Sequence, residues 1–194
     1  MTTPKGTAAK ARVLDATILL MRRGGLAGTG VNEIVAASGA PKGSVYHFFP
    51  DGKRQIAVEA LARYAGRVHA SMDEAMSCVD APRAKVRALF ALLERRLEEA
   101  EFGASCAVGA VTLDLDEALA DVRPAAEAAF ADWRALIASH FPIRDRKRRD
   151  AFAGLVLTAI QGGYVRGRAE RSVDPFREAA HWLGDLAERE LGAA

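Results

Sequence analysis

The stretch GAPKGSVYHFFPDGK, residues 39–53, decides the fold, because it places three glycines, two prolines and a Tyr-His-Phe-Phe cluster in fifteen positions. Pro41 lies where proline is tolerated, in the first turn of a helix, and Pro50 ends that helix. The segment between them spans about two helical turns. A glycine inside a helix costs about 1 kcal/mol relative to alanine. The stretch therefore predicts a very short helix that packs closely against another surface. The glycine at position 43 of this helix needs an explanation.

A second short helix is predicted just before this stretch, from Val31 to Ala37, with Ser38 and Gly39 ending it. Two short helices separated by a glycine-containing turn form the pattern of a helix-turn-helix, whose second helix lies in the DNA major groove. The missing side chain at Gly43 would then let the backbone approach a phosphate closely. The spacing alone is equally typical of a tight helical corner in which Gly43 only allows close packing, and it leaves both interpretations open.

Polar side chains suited to DNA surround Gly43. Lys42 supplies positive charge, and Ser44, Tyr46 and His47 supply hydrogen-bonding groups at short range. Lys53, at the start of the next helix, can offer its ammonium group and that helix's first N–H groups to another phosphate. Val45 and either Phe48 or Phe49 are expected to anchor the short helix inward.

The run VNEIVAASGAPKGSVYHFFPDGK, residues 31–53, closely resembles the helix-turn-helix of the TetR family of transcriptional regulators. Two departures remove a hydroxyl group: Gly30 replaces the family's capping Ser or Thr, and Pro41 replaces a common Ser. The resemblance implies DNA contacts at the positions that match the family's motif, including one near the backbone before the second helix: Thr29, Pro41, Lys42, Gly43, Ser44, Tyr46, His47 and Lys53.

The resemblance extends over the C-terminal two thirds of the chain. The stretches FGASCAVGAVTLDLD (102–116), AFADWRALIA (129–138) and QGGYVRGRAERSVDPF (161–176) are similar to the branch that contains lincomycin- and flavonoid-responsive repressors. In that family this region is a helical domain that binds a ligand and forms a dimer. The resemblance thus implies a ligand-responsive regulator.

The apolar residues of the whole chain recur with a helical period, and alternating β-branched runs with hairpin turns are absent. The sequence therefore predicts an all-α protein of about nine helices. We expect residues 1–55 to form a three-helix, helix-turn-helix DNA-binding domain and residues 56–194 to form the helical ligand-binding and dimerisation domain. The remaining helices are expected at about 7–23, 53–77, from Pro82 to near Gly103, and at 106–119, 121–140, 145–170 and 175–191.

Charge is distributed unevenly along the chain, although its formal net charge is only +2. Residues 1–55 carry eight Lys or Arg against three acidic residues, a balance of +5, and the other 139 residues have a balance of −3. A basic N-terminal part is typical of a protein with a polyanionic partner. The longest apolar stretch, 151–160, is half the roughly 20 residues that span a bilayer. We expect a cytoplasmic protein with no membrane association.

Metal and cofactor chemistry are not expected. Cys78 and Cys106 are 28 positions apart with no CxxC pattern, and none of the four histidines lies at ligand spacing from them. We expect two small buried cysteines, and a redox sensor at Cys106 stays the alternative.

An effector pocket is expected among inward-pointing residues of the C-terminal helices. Few of these residues are charged, so the ligand should be mostly apolar. Gln161 is the sharpest candidate, because an amide in an apolar helix needs a partner. The same positions are equally well explained as ordinary core. The candidates are Phe90, Leu93, Leu97, Cys106, Gly109, Phe130, Trp133, Ile137, Gln161 and Tyr164.

A homodimer through the last two helices is expected, because a reader of a twofold-symmetric operator needs one. Gly162 and Gly163 lie inside an otherwise strong helix, where close packing of another backbone would explain them. The last helix has an apolar face that packing within one subunit explains equally well. That face consists of Phe176, Ala179, Ala180, Leu183, Leu186 and Ala187.

The leading hypothesis is a homodimeric, ligand-responsive repressor that binds a pseudo-palindromic operator and is released by its effector. An activator would share all of these residues. A hypothesis from another class is an all-α enzyme or carrier in which Asp114, Asp116 and Glu117 are catalytic carboxylates. These acids have no visible nucleophile or base beside them in the pattern.

Overall fold

The computed structural model describes residues 4–192, and this part of the chain contains nine α-helices, one 3₁₀-helix and no strand. The predicted all-α class is confirmed. In chain order the helices are α1 (Pro4–Gly24), α2 (Val31–Ser38), α3 (Lys42–Phe48), α4 (Lys53–Ser77), α5 (Pro82–Glu99), α6 (Ala107–Leu113), the 3₁₀-helix (Glu117–Val122), α7 (Arg123–His140), α8 (Arg146–Glu170) and α9 (Asp174–Gly192).

The chain divides into two compact units. The head unit runs from the N-terminal helix to Gly66 and takes in Cys106–Ala129; the body unit consists of Arg67–Ser105 and the chain from Phe130 onward. The head unit therefore contains more than the predicted helix-turn-helix, because α6 and the 3₁₀-helix belong to it.

Helices α1, α2 and α3 pack on one another in the head unit. Their shared core is built from side chains with almost no exposed surface, among them Met21, Leu26, Ile34, Val45 and Phe49. A seven-residue helix such as α3 is marginal on its own, so this burial is what keeps it helical.

The segment after α5 differs most from its prediction. One helix was expected over 106–119, but α6 ends at Leu113 and a 3₁₀-helix begins at Glu117. Two aspartates explain the break, because each side chain bonds a backbone N–H outside α6. Asp114 accepts from Ala27, and Asp116 accepts from Leu119. Aspartate side chains that bond the backbone in this way compete with helix continuation.

In the body unit, α9 packs against α5 and α8. Rings of Phe90, Tyr164 and Phe176 meet at its centre, with centroids 6.2 Å apart for Phe90–Phe176 and 5.2 Å for Tyr164–Phe176. Two histidine–aspartate pairs join the end of α4 to α7: His69–Asp132 at 2.6 Å and Asp73–His140 at 2.7 Å. The hydrogen bond with His140 lowers the pKa of the Asp73 carboxyl. Within residues 4–192, no helix is both long and apolar enough to cross a bilayer.

Candidate nucleic-acid interface and effector region

The turn between α2 and α3 is closed by local hydrogen bonds. Gly39 takes a left-handed conformation, with φ of 62°, which ends α2 and which residues with a side chain rarely adopt. The Ser38 hydroxyl accepts a hydrogen bond from the Ala40 N–H at 3.3 Å. Val45 and Phe49 then point into the core, as predicted for Val45 and for one of the two phenylalanines. The direction in which α3 faces solvent is therefore fixed.

The outward side of α3 carries the predicted DNA contacts. Tyr46 is 47% exposed despite its size. An exposed aromatic ring beside polar side chains is typical of a binding surface. The other predicted contacts at this surface are exposed or half-buried, namely Pro41, Lys42, Gly43, Ser44 and His47.

Gly43 is exposed, and no atom from another described part of the chain lies within 4 Å of the position that a Cβ would occupy. Its φ is also not in the left-handed region. Neither packing nor backbone conformation requires glycine there. The helical-corner interpretation, in which Gly43 allows close packing within the chain, is wrong.

Lys53 is the first residue of α4 and is half-buried. Its helix is held to α1 by charge pairs within the head unit. The Arg63 guanidinium donates to both carboxylate oxygens of Asp15 at 2.8 and 3.2 Å, and Lys10 lies 2.7 Å from Glu59. Bidentate pairs of this kind fix geometry better than single contacts. Lys53 therefore extends from a helix that these ion pairs hold in place against α1.

Thr29 has a different position from the one that the resemblance implied. Its side chain is fully buried, and its hydroxyl donates to the Gly25 carbonyl at 2.6 Å. A buried hydroxyl with a partner inside the fold has no access to a phosphate, so we remove Thr29 from the set of DNA contacts. The adjacent Gly30 has no hydroxyl to cap α2, but its N–H donates to the Glu33 carboxylate at 2.7 Å, which is half of a capping box.

The effector candidates are mostly buried. Phe90 and Tyr164 meet through Phe176 and serve as core, and Leu97 packs against Gly167. Cys106 and Gly109 belong to the head unit, unlike the other eight candidates. In the body unit Leu93, Trp133 and Ile137 are buried, and Phe130 is half-buried with its ring 5.8 Å from that of Trp133.

Gln161 is the exception among these candidates. Its side-chain Nε2 is buried and has no hydrogen-bond partner within residues 4–192. A buried donor without a partner costs free energy that a bound acceptor would recover.

The predicted dimer face of α9 is used inside the subunit, which corrects that expectation. Phe176, Ala180, Leu183 and Ala187 are buried on this face, and a Cβ on Gly163 would collide with the Phe176 ring. Packing within one chain therefore explains both the apolar face and Gly163.

A different surface of the last two helices is uncovered. An uncharged row runs along α8 at spacings of three and four residues, and we call it the α8 stripe. Arg166, beside the stripe, pairs at 2.8 Å with Glu178 on α9, one turn before Trp182, which is 68% exposed. The stripe consists of the exposed residues Ala151, Leu155, Thr158, Gly162, Val165 and Ala169.

The acidic residues of the enzyme hypothesis have structural roles. Asp114 and Asp116 each accept a backbone N–H, and Glu117 is an exposed residue of the 3₁₀-helix. No cluster of three or more potential metal ligands occurs in the described part of the chain.

Comparison with known proteins gives the family. Residues 13–66 match the bacterial regulatory proteins of the tetR family, and residues 82–181 match the C-terminal domain described as "Transcriptional regulator LmrA/YxaF-like". The transcriptional regulator LmrA of Bacillus subtilis is 25% identical over 180 residues, covering 92% of this chain and 96% of LmrA.

Two solved structures share the fold. A TetR regulatory protein from Rhodobacter sphaeroides superposes with a TM-score of 0.83 at 23% identity, covering 91% of this chain and 97% of that one. A cysteine mutant of the TetR-family regulator CifR was solved with 26 bp of double-stranded operator DNA. It superposes with a TM-score of 0.71 at 20% identity, covering 96% of this chain and 95% of that one. The LmrA/YxaF-like match alone spans more than half of the sequence. The chain therefore belongs to the TetR family of DNA-binding transcriptional regulators, in the branch with an LmrA/YxaF-like C-terminal domain.

Proposed function

We propose that this regulator is a homodimeric repressor that binds a pseudo-palindromic operator and is released by a small, mostly apolar effector. Residues 1–55 would read the DNA, and residues 56–194 would bind the effector and form the dimer. The protein would act in the cytoplasm, where it meets the chromosome, and would catalyse no reaction. The observation that carries this proposal is the polar outer side of α3, centred on an exposed glycine with no neighbour.

The proposed contacts divide by chemistry. Lys42 and Lys53 would pair with phosphates, and the open backbone at Gly43 would allow the duplex to approach α3 closely. Ser44, Tyr46 and His47 would reach base edges or the sugar-phosphate backbone. Pro41 would contact the backbone at the start of α3. Two copies would read half-sites one helical turn apart, roughly 34 Å.

The direct experiment is fluorescence anisotropy of the protein on labelled DNA from upstream of its own gene, compared with scrambled DNA at several salt concentrations. We expect specific binding at least 1,000-fold tighter than binding to scrambled DNA, as is usual for such regulators. Weak binding that is blind to sequence and disappears with salt would contradict a sequence-reading role on this DNA.

Substitution of Lys42 or Tyr46 by alanine should weaken operator binding by about tenfold, because each removes a contact worth about 1–3 kcal/mol. Lys42→Ala should also reduce the salt dependence by about one phosphate contact, whereas Tyr46→Ala should not. The matched control is Lys147→Ala, which removes an exposed lysine from α8 in the body unit. Unchanged operator affinity in both head variants would contradict the assignment of α3.

The Gln161 amide supports the effector proposal and gives a test that needs no ligand. Replacing Gln161 by leucine should raise the free energy of unfolding of the effector-free protein by about 1 kcal/mol, because it removes a buried donor that has no partner. Chemical denaturation measures the change. A loss of stability would show that the amide already has a hydrogen-bond partner in the effector-free protein, and would contradict its assignment to effector binding.

A further inference from the structure

Asp114 occupies an electrostatically unfavourable place. It is the residue that follows the last turn of α6, where the helix dipole and unpaired carbonyl groups disfavour a negative charge. It is half-buried and contributes nothing to the capping of its own helix through its side chain. A carboxylate in this position implies a compensating partner elsewhere.

That partner is the loop that leads into α2. The Asp114 Oδ2 accepts the Ala27 backbone N–H at 2.9 Å, from 87 positions away in the sequence. Beside it, Gly25 is buried with φ of 68°, and a Cβ there would strike the same carboxylate, with 3.0 Å to its Cγ. Two features therefore require glycine at position 25: the left-handed backbone conformation and the close approach of the Asp114 carboxylate. The second exists only because Asp114 is there.

The loop that Asp114 holds determines how α2 starts. Leu26 anchors it in the core with no exposed surface, and Thr29 closes it through its bonds to Gly25 and, at 3.1 Å, to Leu26. Helix α2 then begins directly at Val31, and the turn at Gly39 joins the end of α2 to α3. Through the bond to Ala27, the side chain of the residue after α6 holds this loop.

We propose that Asp114 is a positioning residue for DNA reading: through the Ala27 N–H it holds the loop of residues 24–30, and with it the helix-turn-helix, in the geometry that recognises the operator. The inference rests on the proposed function, because it concerns operator recognition by α3. Positioning of this kind acts on sequence readout, which needs α3 in register, and leaves phosphate attraction almost unchanged.

The test compares Asp114→Ala with Asp114→Asn, which lose the same charge but differ in the acceptor oxygen. Anisotropy is measured on the upstream DNA and on scrambled DNA, and hydrogen exchange is followed for amides 25–30. Asp114→Ala should lose about tenfold in operator affinity, the usual scale for a hydrogen bond to a charged group. Its affinity for scrambled DNA should stay unchanged, and amide exchange in the loop should accelerate. Asp114→Asn should remain within about threefold of the wild type on the operator.

Asp116→Ala is the control, because it removes a carboxylate two residues away that only caps the start of the 3₁₀-helix, through the Leu119 N–H. It should bind the operator as the wild type does. Equal operator affinity of Asp114→Ala and wild type would overturn the inference while leaving the proposed function intact. Equal losses for Asp114→Ala and Asp114→Asn would also overturn it, because charge rather than the bond would be responsible. Failure of the wild type itself to prefer the upstream DNA would count against the proposed function instead.

Discussion

If the proposed homodimer pairs through the α8 stripe, replacement of Leu155 by glutamate is expected to convert it to monomers and to lower operator affinity by about 100-fold. Leu155 is 49% exposed on the α8 stripe, whose six members between Ala151 and Ala169 are all uncharged. In a twofold interface each substitution is present twice, so two carboxylates would be buried or brought together. A monomer binds one half-site and loses the effective concentration that links the two heads. Light scattering measures the mass, and anisotropy measures the affinity.

The control for this variant is Ala135→Glu, which introduces the same charge at an exposed position of α7 in the body unit. It should remain dimeric and bind the operator normally. A dimeric Leu155→Glu variant would show that the α8 stripe is not the interface. A monomeric variant with undiminished operator affinity would show that half-site binding is enough and would contradict the twofold mode of reading.

The second large effect is expected from Gly43→Ala, with opposite signs for stability and function. Alanine fits the helical backbone at this position, and its methyl group meets nothing in the described fold. The free energy of unfolding should rise by as much as about 1 kcal/mol. Operator affinity should fall by about tenfold, because the methyl group would separate α3 from the duplex at the point of closest approach.

Gly66→Ala is the matched control for Gly43→Ala. Gly66 is also an exposed helical glycine with no neighbour at the Cβ position, and it lies in α4 away from the proposed contacts. It should show the same gain in stability without the loss of affinity. If Gly43→Ala bound the operator as tightly as the wild type, close approach of DNA at Gly43 would be disproved.

Local sequence signals were sufficient where they act over a few residues. Proline at the start of α3, glycine at the end of α2 and apolar periodicity along α4 predicted those bounds to within one residue. The prediction failed after α6, where Asp114 and Asp116 bond groups outside the helix. Asp114 does so across 87 positions, and no local pattern contains that information.

On α3 the motif predicted which side chains face outward, and their contacts with DNA stay a prediction. The sequence was least informative where burial decides the role of a residue. The Thr29 hydroxyl matches a DNA-contacting position in sequence but faces the Gly25 carbonyl inside the head unit. Similarly, the apolar face of α9 could not be assigned from periodicity, because a helix packing on its own subunit and one packing on a partner have the same pattern. The α8 stripe could be recognised only from the structure, because the structure shows which residues of α8 are buried and which are exposed.

The way in which α3 is held has a consequence for how operator preference can change. Val45 is the only residue of α3 that is buried, and Pro41, Lys42, Gly43, Tyr46 and His47 point away from the fold. Apart from the backbone effects of Pro41 and Gly43, substitutions at exposed positions without packing partners usually change stability by less than about 0.5 kcal/mol. If these residues make the proposed operator contacts, operator preference is nearly independent of the interactions that keep the protein folded, and a few substitutions on α3 are expected to change the operator without redesign of the body unit.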